Sequence, residues 1–140
     1  MSIKTALYDL LSGSTAVKAL TSTRIYPMVA PDSADKPFIV YQRITAEHAH
    51  HLADPGGLVS STFQISIYAS SSLSSWNVAE AVRNLLDGYI NASGTPVIQS
   101  IALQNEIDDY EAPTDASQGG VFSVKQDYGI WYEEATPTNV

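Results

Sequence analysis

Three histidines and two carboxylates fall within eight residues: Glu47, His48, His50, His51 and Asp54. Imidazole and carboxylate groups are the ligands that zinc takes, and His48, His50 and Asp54 are the best-placed trio here. On an extended chain, though, His48 and His50 share a face while His51 points away. No helical His-Glu-x-x-His spacing is present. The competing reading is a polar hairpin tip. A second group, Glu106, Asp108, Asp109 and Glu111, offers hard oxygen ligands but lacks the glycine-bearing twelve-residue loop of an EF-hand. A solvated loop explains it as well. Serines are many, yet none sits in a Gly-x-Ser-x-Gly elbow, and a nucleophilic serine needs a base beside it. Gly56-Gly57 and Gly119-Gly120 have no following Lys or helix start to make a phosphate loop. These spacings point to no catalytic residue, no cofactor and no resident metal.

The elements that would carry these groups read as α+β. Ile3, Leu7, Leu10 and Leu11 share one face of a helix that Gly13 stops. Ser14 or Thr15 caps a second short helix through Leu20. Residues 21–37, with Pro27, Pro31 and Pro37, read as an extended surface loop with Ile25 and Tyr26 tucked inward. Phe38 to Thr45 is a strand, and Thr62 to Ala69 is another, with Phe63, Ile65, Ile67 and Ala69 alternating against polar neighbours. The two form a long hairpin with the polar stretch Ala46 to Val59 at its tip. A serine from the run 70–75 caps a helix over Leu73 to Tyr89, whose apolar face carries Val78, Ala79, Val82, Leu85 and Leu86. Val97 to Glu106 is a third strand, with Ile98, Ser100, Ala102 and Gln104 on one face. Residues 107–120 read as an acidic loop. Val121 to Glu133 is a fourth strand with Phe122, Val124, Gln126, Tyr128, Ile130 and Tyr132 on its apolar side. Trp131 then faces outward and is a better interface anchor than Trp76. The expected architecture is one domain over residues 1–140, with a flexible tail from about 135. It is a four-stranded antiparallel sheet with helices on one face, in the order α-α-β-β-α-β-β. The fourth strand is expected at a free edge.

Composition narrows the partners. Charged residues are 16% and cysteine is absent, so disulfides and thiolate sites are excluded. A surface short of charge suits contact with other proteins. No window reaches the ~18 apolar residues of a membrane span, and no signal-peptide core opens the chain, so the expectation is folding in a cytoplasm. The net charge is −8. Residues 1–105 carry seven acids against six bases, whereas residues 106–140 carry eight acids and only Lys125. The bases are scattered singly, so nothing tracks phosphates for sequence-led DNA binding.

Several stretches, in order, resemble the phage tail completion family, the tail terminator or head–tail joining proteins of long-tailed phages. They are Ala6 to Leu11 followed by Ala16 to Leu20, and Thr23-Arg24-Ile25-Tyr26-Pro27 with Ala30-Pro31. Lys36 to Arg43 and the Asp54-Pro55-Gly56-Gly57-Leu58 tip follow. Then come Phe63-Gln64-Ile65 leading to Tyr68-Ala69, and Val82 to Gly88. Gln99-Ser100-Ile101 with Glu106 and Tyr110-Glu111 completes the set. The resemblance covers about residues 5–133. It implies a ring of copies, six by analogy with a sixfold tube, on the head-proximal end of the tail. The implied partners are the tail tube protein and a head completion or stopper protein, with DNA passing through the ring and no membrane contact. The expected interface comprises His48, His50, His51, Leu52, Asp54 and Leu58 at the tip, with Trp131, Asp108, Asp109 and Glu111. Two readings compete with it: a metal-binding module or metal-dependent enzyme using residues 47–54, and a cytoplasmic adaptor for a basic partner.

Overall fold

The computed structural model describes residues 2–49, 57–113 and 119–135. Two short helices come first. In α1 (Ile3–Gly13), the Ser2 hydroxyl accepts the Thr5 N–H at 3.2 Å, satisfying one of the open donors of the first turn. Ser14 does the same for α2 (Thr15–Thr21) through the Val17 N–H. Strands β1 (Ile25–Pro27), β2 (Phe38–His48) and β3 (Leu58–Ala69) follow. Helix α3 (Ser72–Leu86) is capped by Ser71, whose hydroxyl accepts the Ser74 N–H at 3.1 Å. Strands β4 (Ile98–Glu111) and β5 (Val121–Glu133) complete the chain.

The sheet has five strands in the order β1-β2-β3-β5-β4, which corrects the expectation of four. The extra strand is Ile25–Pro27, which pairs in parallel with β2 as Ile25↔Ile39 and Tyr26↔Val40. Three residues are too few to show alternation, and Pro27 has no N–H to donate. Only the exposed edge of β2 makes this segment a strand. The element order is therefore α-α-β-β-β-α-β-β. The hairpins β2–β3 and β4–β5 are antiparallel as expected.

A second correction concerns β5. It is no edge: it pairs with β3 on one side and β4 on the other. Both neighbours run antiparallel to it, so β3 and β4 are parallel to each other. The connection between them, through α3, must cross over β5. Strand β4 takes the edge instead, and it runs to Glu111, so part of the stretch expected as an acidic loop is strand.

Helices cover one face of the sheet. Phe63, Ile65 and Ile67 of β3 and Tyr128, Ile130 and Tyr132 of β5 pack there against Leu7, Leu11, Val78, Val82 and Leu86. Each such side chain contributes about 1.5–3 kcal/mol when removed from water. Strand β4 reaches this core by an irregularity. A register shift between Ile98 and Ser100 lets both Ile98 and Ile101 turn inward, where strict alternation would have separated them. The expected face of Ile98, Ser100, Ala102 and Gln104 is broken for that reason.

Candidate functional site

Toward the tip of the β2–β3 hairpin, the Ala49 N–H donates to the Leu58 carbonyl at 2.9 Å, the outermost rung among the described residues. His48 ends β2 and faces the helix side in register with Val59, while Leu58 lies beside Glu133 of β5. The chain after β5 is tied to this base. The Glu134 N–H donates to the Gly57 carbonyl at 2.8 Å, and His48 Nδ1 lies 3.5 Å from Glu134 Oε1. Both side chains of that pair are about half exposed, so it contributes little. Of the other expected tip residues, His50, His51, Leu52 and Asp54 lie outside the described residues. Among the described residues, no three His, Cys, Asp or Glu side chains converge to hold a metal ion.

Trp131 is placed near this base. It opposes Ser60 of β3 and Ser100 of β4, on the sheet face away from the helices, and is 45% exposed. Its neighbours Ile130 and Tyr132 point the other way and are fully buried. Serines on both sides leave the indole standing above the sheet. The hairpin base and Trp131 thus share one end of the molecule.

The acids occupy the other end. Val124, opposite Asp108, lies about 24 Å along β5 from Trp131 at ~3.4 Å per residue. The strand also divides the acids between faces. Asp108 looks toward the helix side with Glu106, while Asp109 and Glu111, opposite Ser123 and Val121, look the other way. A loop would have imposed no such division.

A buried polar chain fixes β4 at this end. Gln126 is fully buried and its Nε2 donates to the Ala79 carbonyl at 3.0 Å and to Glu106 Oε2 at 2.9 Å. The Tyr128 hydroxyl donates to Gln126 Oε1 at 3.1 Å. One amide therefore joins β5, α3 and β4. Burial pushes the Tyr128 phenol above its ordinary value, with the nearby charges of Glu106 and Asp87 adding to the effect. Elsewhere the Ser61 and Tyr132 hydroxyls meet at 3.0 Å, also buried. Among the described residues, every buried side-chain nitrogen and oxygen has a partner. These hydroxyls and amides hold strands together.

One exposed apolar pair is absent from the interface expected from the sequence. Met28 and Val29 stand out from the loop after β1, near Tyr26, Phe38 and Tyr68 on the open sheet face. Phe38 stacks on Tyr68 with ring centroids 5.1 Å apart. Aromatic residues at wet positions of alternating strands were the signal. Trp76, set below Trp131 as an anchor, is 52% exposed on α3 and flanks Asp108 and Tyr110.

Among the described residues, no helix is long and apolar enough to cross a membrane. No curated protein matches the chain in sequence. Its fold is similar to that of a chain in the virion of a native gene transfer agent particle, with a TM-score of 0.73. That likeness covers 95% of this chain and 96% of the other at 16% identity, and so speaks for the fold. The family model described as tail completion protein gp17 matches residues 5–133. Nearly the whole chain is thereby accounted for, and the protein belongs to the tail completion protein gp17 family.

Proposed function

We propose that this tail completion protein forms a homo-oligomeric ring, of six copies, on the head-proximal end of the phage tail tube. There it terminates the tail and joins it to a head completion or stopper protein, with no catalytic step. DNA passes through the ring without sequence-specific contact. The protein assembles in the host cytoplasm and remains in the virion. What supports this reading is that the residues proposed as contacts fall at opposite ends of one sheet. His48, Leu58 and Trp131 lie at one end, and Asp108, Asp109 and Glu111 at the other. His50, His51, Leu52 and Asp54, which lie outside the described residues, are assigned to the first contact group by their place in the sequence alone. Two unlike ends suit a subunit that meets different partners on its two sides, and heterologous contacts between copies elsewhere on the subunit close into a ring when the rotation per copy divides a full turn.

Six copies of a 15.1 kDa chain weigh about 91 kDa. Light scattering at rising concentration, with electron microscopy of tail ends, tests the assembly. Subunits that neither form rings nor appear at the head-proximal end of the tail would overturn it. Deleting residues 49–57 should leave the fold intact and block joining; normal joining would remove the tip from the interface. Replacing Asp108, Asp109 and Glu111 together by Asn or Gln assigns the acids. Loose heads and tails indicate docking, complete particles that fail to eject DNA indicate a lumen, and normal infectivity removes the acids from function.

A further inference from the structure

The two edges of the sheet are differently closed. At one edge β1 is three residues long and ends in Pro27, which blunts it. At the other, the first half of β4 is covered by the turn after α3. The Gly88 N–H donates to the Ile101 carbonyl at 2.7 Å, the Asp87 carboxylate accepts the Leu103 N–H at 3.0 Å, and Asn91 bridges Ile98. Gly88 can make this turn because it adopts φ +86°. Past the register shift between Leu103 and Asn105, no described residue outside β4 caps that edge in this way. The ladder alternates, so Glu106, Asp108 and Tyr110 turn their N–H and C=O groups away from β5. Consistent with that orientation, the Asp109 carboxylate accepts the Tyr110 N–H at 2.8 Å.

The surroundings of this open edge specify a chemistry. A strand added here would set alternate side chains beneath α3, beside Trp76, Glu80, Glu106 and Asp108, with Arg83 also lining the groove but paired with Asp87 at 3.5 Å. The others would lie beside Asp109 and Glu111 on the opposite face. The stretch from Glu106 to Glu111 has four carboxylates and no base. The exposed Trp76 indole offers a face for a guanidinium or a lysine stem. A second copy of this chain does not fit. Its seven bases are scattered, with no two at alternate positions of any segment, and pairing two such edges would set carboxylate against carboxylate.

We propose that β4 from Asn105 to Glu111 is a docking edge for an extended segment of another protein bearing Lys or Arg at alternate positions, which adds to the sheet as a sixth strand. Main-chain hydrogen bonds supply affinity and the acids supply selectivity, as in other strand additions. The proposal rests on the reading of Asp108, Asp109 and Glu111 as contact residues and is independent of the ring.

The test uses the full chain, isotope-labelled, titrated at low salt with a nine-residue peptide alternating Lys and Thr, capped at both ends. Amide shifts should concentrate at residues 105–111 and at the Trp76 indole. A peptide N-methylated at alternate amides keeps the charge but cannot form the ladder, and should bind more than tenfold more weakly. A Glu/Thr peptide should not bind. Asp108→Asn and Asp109→Asn should each weaken binding about two- to fivefold, the range of an exposed ion pair. Asp108→Pro deletes an outward N–H while sparing the ladder to β5, and should weaken binding more than tenfold. If that variant unfolds, the N-methylated peptide on the wild type decides the question. Equal affinity of the N-methylated or Glu/Thr peptide, shifts elsewhere, or no binding at about 1 mM peptide would each overturn the proposal, as would self-association through this edge. Rings on tail ends without peptide binding would sink the docking edge alone, and peptide binding without rings would sink the ring alone.

Discussion

The two halves of β4 share one partner strand and one direction, and they differ in almost everything else. From Ile98 to Leu103 the strand sends Ile98 and Ile101 into the core and has its outer backbone groups met by the turn after α3. From Asn105 to Glu111 every residue is exposed, including Ile107 and Tyr110, and four of the seven are acids. The first half is held by burial. The second is held by its ladder to β5, by the Gln126 amide on Glu106, and by Tyr110 against Phe122 with ring centroids 4.7 Å apart. One strand can thus be structural at one end and available at the other, because pairing needs only a neighbour while burial needs a second layer.

The sharpest way to test this contrast is to empty the core under the first half. Ile101→Ala should cost about 2–5 kcal/mol in urea unfolding, as should Leu86→Ala on the facing helix, through the cavity each leaves. Gln126→Ala comes next, at about 1–3 kcal/mol, because it strands the Tyr128 hydroxyl and the Ala79 carbonyl in a buried site. High pH probes the same chain. The phenol of Tyr128, and to a lesser degree that of Tyr41, is raised above the usual value of 10.0 by burial. The folded protein then keeps protons that the unfolded chain releases. Stability should be fully present below about pH 10 and fall as pH rises above it, and Tyr128→Phe should flatten that fall. Asp87→Ala, which uncaps the Leu103 N–H, should cost about 0.5–1.5 kcal/mol in the same unfolding assay. Ile107→Ala in the second half should change stability by no more than about 0.5 kcal/mol. A loss there as large as that of Ile101→Ala would erase the distinction between the halves.

Much of this was legible before any coordinates. The apolar stripe of α3 placed Val78, Val82 and Leu86 inside, as observed. The alternation of β5 buried Tyr128, Ile130 and Tyr132 and left Trp131 out. What misled was the run of acids after Leu103. A stretch with Glu106, Asp108, Asp109 and Glu111 has low strand propensity, yet it pairs with β5 to its end. The position of β5 was missed for a related reason. Its composition says that one face is buried but nothing about which strands flank it.

Periodicity, caps and turn residues act between neighbours a few positions apart, so the sequence by itself determined the helices, the antiparallel pairing within the two hairpins, the inward faces of α3, β3 and β5 and the acidic bias of the C-terminal part. Strand order, the three-residue strand at Ile25–Pro27, the register shifts in β4 and the exposure of its second half were decided only in the tertiary structure. Each depends on backbone pairing between residues far apart in the chain, such as Ile25 with Ile39 and Asp108 with Val124. Backbone hydrogen bonds are the same for every residue type but proline, so the side chains carry little record of which partner they will meet.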